Sequence, residues 1–213
     1  MSTTFNPPIR TIADLLRRVG DIPPDRVRFD PMPGTATVAD LLRPENKGCE
    51  LVEGTLVEKP MGTREAFLAG YILELLGPFV RANNLGILTP GDGPWELVSG
   101  LVRLPNVAFL SWGRLPNREV PDEPIGSAVP DLAIEVLSRG NTPGEMARKR
   151  GEYFRAGVRV VWEIDPRART VRVYTSETAF MDLTATDTLT GDPVLPGFSL
   201  PLAQLFAELD RRG

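Results

Sequence analysis

The order of the secondary-structure patterns predicts a mixed α/β domain, with a central mixed sheet flanked by helices. A strand hairpin precedes a long amphipathic helix, several strands follow, and a second helix leads into another pair of strands. This alternation of helical and strand periods is typical of domains in which helices pack on a sheet. The chain has 213 residues, of which 42% are hydrophobic, and this is enough for one domain with a substantial core.

An N-terminal arm is predicted over residues 1–36, and the domain proper over 37–213. Two short helical patterns, at 12–16 and 38–42, are separated by segments rich in proline and glycine. Because proline interrupts a regular helix, we expect the arm to pack on the domain and not to form a domain of its own.

The first half of the domain begins with a hairpin and a long helix. Glu50–Glu58 is predicted to form two short strands around Gly54. Residues 64–82 place large apolar side chains at helical spacing, and Pro78 is expected to kink or end this helix. Further strands are predicted around 85–89, around 95–98 and at 102–110, and an irregular proline-rich loop at 111–128.

The second half begins with a buried strand, predicted at 131–137. Thr142 is placed to cap a helix that has Pro143 at its first position and Glu145 three residues after the cap. This helix is expected to run to about Ala156, and Gly157 would close it. A hairpin of 158–164 and 170–175 and a closing helix at 201–211 complete the prediction.

The composition excludes several classes of catalytic site. There is no histidine, so Ser-His-Asp and Cys-His catalysis and histidine-based metal sites are excluded. Any metal would have to sit among oxygen ligands, which favours magnesium, manganese or calcium over zinc. The net charge of -4 argues against nonspecific nucleic-acid binding by the whole surface, although a local basic patch can still bind.

The location predicted from the sequence is cytoplasmic. No apolar run approaches the roughly 20 residues that a membrane span needs, and the first ten residues lack the apolar core of a signal peptide. Cys49 is the single cysteine, which excludes an intramolecular disulfide and fits a reducing compartment.

Two carboxylates on one face of the strand 131–137 are the main chemical feature of the chain. Alternation puts Asp131 and Glu135 on the same side, opposite Leu132, Ile134 and Val136. Burying such carboxylates is costly unless a positive group meets them. A divalent metal is one candidate for that group, and a nearby lysine is another.

The next helix supplies such a lysine. Met146, Lys149, Tyr153 and Ala156 lie three or four residues apart, so they share the face that should pack on the sheet. Lys149 then either reaches water along its stem or meets Glu135. Carboxylates and a lysine beside a metal suit hydrolysis of a phosphodiester, in which the metal activates a water and the lysine stabilises or orients it.

These segments resemble those of the Uma-type restriction endonuclease family, a branch of the PD-(D/E)XK nuclease-like fold. The resemblance covers about Val38 to Leu205 and implies a restriction-endonuclease-like fold, DNA as partner, Mg²⁺ or Mn²⁺ as cofactor, and a homodimer. The motifs that carry it, in chain order, are Glu50–Leu56, Arg103–Phe109, Pro130–Ser138, Lys149 with Tyr153–Val158, Trp162–Pro166, Val171–Tyr174 and Leu195–Phe198.

The resemblance also implies roles for individual residues. Glu135 matches the second acidic metal ligand, whereas the position of the metal-binding aspartate is taken by Asn106. The usual lysine two positions after the acid is absent, and Lys149 matches the position to which that lysine migrates. Glu65 matches an additional acid of this fold. An amide oxygen can ligate a metal but carries no charge, so Asn106 should weaken magnesium binding unless Asp131, on the same face as Glu135, compensates.

Two hypotheses about function follow. The first is a magnesium-dependent DNA endonuclease in which Glu135, Lys149 and Asp131 are catalytic and Glu135, Asn106 and Glu65 hold the metal. The second is a nuclease-fold protein without catalytic activity that binds DNA or protein. A third, weaker option is a structural domain that acts only by dimerising.

Overall fold

The computed structural model describes residues 9–60 and 62–212. The described helices are α1 (Ile12–Arg18), α2 (Val38–Leu41), α3 (Thr63–Ala82), α4 (Pro143–Ala156) and α5 (Leu202–Ala207). The described strands of the first half are β1 (Cys49–Val52), β2 (Thr55–Glu58), β3 (Gly86–Pro90), β4 (Trp95–Val98), β5 (Leu101–Arg103) and β6 (Val107–Ser111). Those of the second half are β7 (Leu132–Val136), β8 (Val160–Asp165), β9 (Thr170–Tyr174), β10 (Phe180–Thr184), β11 (Thr188–Thr190) and β12 (Ser199–Pro201).

The large sheet has six strands in the order β10-β9-β8-β7-β6-β3. Strand β7 pairs antiparallel with β6 and parallel with β8, so the sheet is mixed as predicted. A parallel pair needs a crossover connection, and α4 provides it. All of β7 is buried, because α3 and α5 cover one face of the sheet while α4 and β4 cover the other.

The local signals around α4 act as predicted. The Thr142 hydroxyl accepts a hydrogen bond from the backbone N–H of Glu145, and Gly157 ends the helix in a left-handed conformation with φ of 102°. The predicted inner face of α4 packs on the sheet, and its residues Met146, Lys149 and Tyr153 are buried. The carboxylate of β7 and the lysine of α4 are thereby turned toward each other.

Two predicted elements differ in the structure. The segment 102–110 forms two strands, not one, because Pro105 has no N–H to donate and the chain turns there. Strand β5 belongs to a four-stranded sheet of order β2-β1-β5-β4, whereas β6 belongs to the six-stranded sheet. Pro78 does not end α3, which continues to Ala82.

The arm packs on the β1–β2 hairpin. Val27 bridges Val57, and the backbone N–H groups of Gly34 and Ala36 both donate to the Gly54 carbonyl at 2.8 Å. Gly54 is at φ of 68°, and a Cβ there would lie 2.7 Å from the Gly34 backbone, so only glycine fits. Residues 1–8 of the predicted arm lie outside the described residues. Among the helices that are described, none combines the length and apolarity that crossing a membrane requires.

Candidate active site

Glu135 and Lys149 meet inside the domain. Glu135 is on β7 and is 3% exposed, and Lys149 is on α4 and is 1% exposed. The distance from Lys149 Nζ to Glu135 Oε1 is 3.4 Å, and the Tyr153 hydroxyl donates to the same oxygen at 2.7 Å. A short crossover therefore places an acid, an amine and a phenol at one point beside the sheet.

Glu50 and Arg103 extend this pair into a network. Lys149 Nζ lies 3.0 Å from Glu50 Oε1, and an Arg103 nitrogen lies 2.6 Å from Glu50 Oε2. Arg103 also donates to Glu152 from Nε at 2.8 Å. We call these six side chains the charge network: Glu50, Arg103, Glu135, Lys149, Glu152 and Tyr153.

The sequence motifs contain Glu50 and Arg103, but their contacts with Lys149 and Glu152 were not predicted. The available signal was a charged residue inside each of two apolar strands, Glu50 beside Leu51 and Arg103 beside Val102. Each had to meet an opposite charge on folding, because an unpaired buried ion is strongly unfavourable. Nothing local shows which residue that partner is.

The network fixes the protonation of its members. Burial alone would raise the pKa of Glu50, but Lys149 and Arg103 outweigh burial and lower that pKa to about 2. Burial likewise opposes the charged form of Lys149, yet Glu135 and Glu50 raise the Lys149 pKa above its usual value. Burial and the adjacent Glu135 raise the pKa of Tyr153 well above the usual range, so Tyr153 stays a neutral donor.

Lys59 brings a further positive charge to this region. It follows β2, and its ammonium donates to the Leu104 carbonyl. Burial lowers the pKa of Lys59 to about 8, while the negative charge of Glu135 opposes that shift. Lys59 thus adds a third cation, beside Arg103 and Lys149, to the region that holds Glu50, Glu135 and Glu152.

Asn106, where the resemblance implies a metal-binding aspartate, is held by a backbone hydrogen bond. The N–H of Val136, at the end of β7, donates to Asn106 Oδ1 at 2.9 Å. This contact settles the orientation of the amide, because only the oxygen can accept from an N–H. The second amide position is therefore the donor Nδ2, which has no hydrogen-bond partner within residues 9–60 and 62–212.

This donor set does not fit a magnesium ion. Glu135 Oε1 already accepts from Tyr153 and contacts Lys149, and Asn106 offers a free N–H donor where an anionic oxygen is needed. In the described part of the chain, no group of three or more Asp, Glu, Cys or His side chains is arranged to hold a metal. Lys149 and Lys59 also place positive charge beside Glu135, which disfavours a second cation there.

Asp131 lies away from the network. Its carboxylate accepts from the backbone N–H of Ser111 at 2.8 Å and from Arg114 Nε at 3.2 Å. It directly precedes β7, and four residues of extended chain separate it from Glu135 by about 13 Å. The structure therefore does not bring Asp131 to the candidate site.

Glu65 lies in the first turn of α3, where it lines a groove and not the network. The groove has a volume of about 590 Å³ and includes Ser138 and Gly140, just beyond the end of β7. Three exposed arginines line it: Arg64, Arg139 and Arg167. We call this surface the basic groove.

The sequence model of the Uma2 family, described as "Putative restriction endonuclease", matches residues 36–203. The chain belongs to this family. The match leaves out residues 9–35 of the arm, which in this family member pack on the matched hairpin through Val27 and Gly34. The resemblance inferred from the motifs is thus confirmed.

The fold of this family member is similar to that of a solved structure from Anabaena variabilis, described as "a putative nuclease belonging to DUF820". The TM-score is 0.67 at 20% sequence identity, and the match covers 76% of this chain and 90% of the other. The predicted fold class is therefore confirmed. A comparison with curated proteins gave no significant match. The family and the fold together support a nuclease.

Proposed function

We propose that this protein binds DNA on a nuclease fold, and that the Asn106 amide leaves its hydrolytic centre without a complete metal site. The observation that carries the proposal is the hydrogen bond from the Val136 N–H to Asn106 Oδ1. It turns Nδ2, a donor, toward the position where a nuclease would need a second anionic oxygen. Metal-dependent cleavage by the natural chain is then absent or very slow.

The basic groove supports the DNA-binding part of this proposal. Arg64, Arg139 and Arg167 offer guanidinium groups that match phosphate geometry. Arg167 has a weak ionic contact, 3.8 Å to Asp165, and Arg64 donates to the Pro166 carbonyl. The charge network carries three acids and two cations, and Lys59 beside it offsets the remaining negative charge.

The endonuclease hypothesis keeps one strong point, the meeting of Glu135 and Lys149. That hypothesis requires an acid and an amine in contact, and these two side chains meet that requirement. Mg²⁺ is therefore the ion we propose for the site once the missing charge is restored. Asn106→Asp would keep an oxygen for the Val136 N–H and would replace Nδ2 by a second, anionic oxygen.

The test compares wild type, Asn106→Asp, and the matched control Asn106→Asp with Glu135→Gln. We expect Asn106→Asp to bind Mg²⁺ at least about tenfold more tightly in calorimetry and to nick supercoiled DNA in a reaction that EDTA stops. The control should lose both gains, and wild type should retain DNA without nicking it. Rapid Mg²⁺-dependent nicking by wild type would show that the site is complete and would refute the proposal.

DNA retention is tested separately by gel shift at two salt concentrations. Neutralising phosphates with arginines makes affinity fall steeply between about 50 and 200 mM salt. Arg64→Ala with Arg139→Ala should weaken retention, whereas Arg81→Ala, an exposed arginine in the last turn of the same helix, should not. Equal retention by both variants would exclude the basic groove. The homodimer stays a prediction from the family resemblance, and light scattering decides it.

A further inference from the structure

A second cavity lies along α3, and Asn106 is part of its wall. It has a volume of about 420 Å³, within the range of small-molecule sites. We propose that this cavity holds one unstacked nucleotide, with the base against the apolar wall, a base carbonyl on Asn106 Nδ2, and the phosphate on Lys47 and Lys59. This inference rests on the proposed function, since it names the unit of nucleic acid that the protein recognises.

The wall of the cavity suits the face of a planar ring. Most of its lining is apolar, and two elements supply the larger side chains, α3 and the turn after β5. A nucleobase gains stability by covering such apolar surface with its ring face, independent of base identity. The apolar lining residues are Ala66, Ala69, Leu73, Pro90 and Leu104.

Asn106 supplies a directed polar contact in this wall. The residue is only 3% exposed, yet its Nδ2 has no hydrogen-bond partner in the described part of the chain. Nδ2 is not among the fully buried atoms that lack a partner, so it reaches the open space of the cavity, where a ligand acceptor can take up the hydrogen bond that no described protein group supplies. The carbonyl oxygens of thymine, uracil, cytosine and guanine are such acceptors. A base can therefore satisfy the amide while its ring covers the apolar surface.

Two lysines carry positive charge beside the cavity, the exposed Lys47 and the partly buried Lys59, whose ammonium already donates to the Leu104 carbonyl. Lys47 is exposed and makes no ion pair within residues 9–60 and 62–212. The charges that face Lys59 are Glu135, Lys149, Glu50 and Glu145. One exposed acid, Asp92, also lines the cavity. An apolar wall, a lone amide donor and two ammonium groups together match a nucleoside monophosphate better than they match inorganic phosphate or a purely apolar ligand.

Gly70 allows the cavity to be closed without disturbing its walls. It lies on α3 and lines the cavity, and a Cβ built on it meets no atom within 4 Å. Gly70→Leu should therefore fill the cavity with a side chain and favour the helix at the same time. Gly70→Ala is the matched control, since it makes the same change to the backbone but leaves most of the space open.

The experiment measures binding of thymidine monophosphate, thymidine and inorganic phosphate to the full chain by titration calorimetry. We expect wild type and Gly70→Ala to prefer the monophosphate over each of the other two by about tenfold, and Gly70→Leu to lose about tenfold in affinity for it. A single-stranded oligonucleotide with 2-aminopurine next to a thymine provides the polymer arm. The 2-aminopurine fluorescence should rise on binding wild type, where the neighbouring thymine leaves the stack and enters the cavity, and not on binding Gly70→Leu.

Two results would overturn the inference. One is equal monophosphate affinity in wild type and Gly70→Leu, and the other is no monophosphate binding by wild type at millimolar concentration. Salt-sensitive retention of DNA through the basic groove does not depend on the cavity. If DNA is retained but the monophosphate is not bound, the cavity inference fails and the proposed function stands. If the monophosphate binds but DNA is not retained, the proposed function fails and the cavity is a site for free nucleotides.

Discussion

Replacing Lys149 by methionine should test whether the charge network is held together by compensation of buried charges. Lys149 Nζ lies 3.0 Å from Glu50 and 3.4 Å from Glu135, and both carboxylates are almost completely buried. Methionine has a similar length and is apolar, so it fills the space and removes only the charge and its hydrogen bonds. The variant leaves Glu50 with Arg103 and Glu135 with Tyr153 as their nearest partners.

The expected loss is large compared with the stability of a domain. Removing one partner of a buried pair costs about 3 to 5 kcal/mol, because a charge stays buried without compensation. The free energy of unfolding of a domain is about 5 to 15 kcal/mol, so Lys149→Met should leave a weakly folded protein at neutral pH. Part of the lost stability is recovered when a carboxylate takes up a proton, because the uncompensated charge is then removed.

The pH dependence gives this prediction its sharper form. Without Lys149, burial disfavours the charged form of the acid that has lost its partner, so we expect the folded variant to bind more protons than its unfolded chain. The stability of the variant should therefore fall as the pH rises from 5 to 8. In wild type the pKa of Glu50 is about 2, so the contribution of this group to stability does not change over that interval.

Urea unfolding followed by tryptophan fluorescence, at pH 5 and pH 8, measures both effects. The double variant with Lys149→Met and Glu135→Gln removes the acid as well as the base and should recover much of the lost stability. Unfolding of the single variant within about 1 kcal/mol of wild type at both pH values would refute the argument, since so small a change is typical of exposed ion pairs.

Three further predictions concern Asp131, Arg26 and Glu50. Asp131→Asn should lower the free energy of unfolding by about 1 to 3 kcal/mol, because it weakens a buried acceptor of the Ser111 N–H. DNA retention in a filter-binding assay should not change. Lost retention would show that Asp131 contributes to the functional site. Arg26→Met should lower the free energy of unfolding by about 3 to 5 kcal/mol, because buried Glu145 loses its ion-pair partner at 2.6 Å. Limited proteolysis should then cleave the arm. An arm that resists cleavage as well as the wild-type arm does would contradict this prediction. The folded pKa of Glu50, about 2, lies below the usual 4.5, so its stabilisation is complete above pH 4.5 and is lost as the pH falls toward 2. Thermal unfolding of wild type should therefore occur at a lower temperature at pH 3 than at pH 6, and Glu50→Gln should show a smaller difference; equal differences in both proteins would contradict the assignment to Glu50.

Local sequence signals determined the part of the site that lies on consecutive elements. The alternation of 131–137 placed Glu135 on one face of a buried strand, and the cap at Thr142 set the phase of the next helix. Once that helix packs on the sheet, Lys149 has to face the strand, because a parallel crossover brings neighbouring elements together. Glu135 and Lys149 are 14 residues apart, and periodicity puts them on facing sides of a strand and a helix. The structure decides that Lys149 is buried against Glu135 and does not reach water.

Long-range contacts decided the rest, because no pattern along the chain encodes which distant residues become neighbours. Glu50 and Arg103 are 53 residues apart and meet only because β1 and β5 pair in the smaller sheet. The same holds for the amide of Asn106, whose orientation depends on one backbone N–H of Val136, 30 residues away. The sequence by itself thus determined the fold class, the family and an acid facing an amine. Only the tertiary structure decided that these charges are already compensated, since the energy of a buried charge depends on every group packed against it, near or far in the chain.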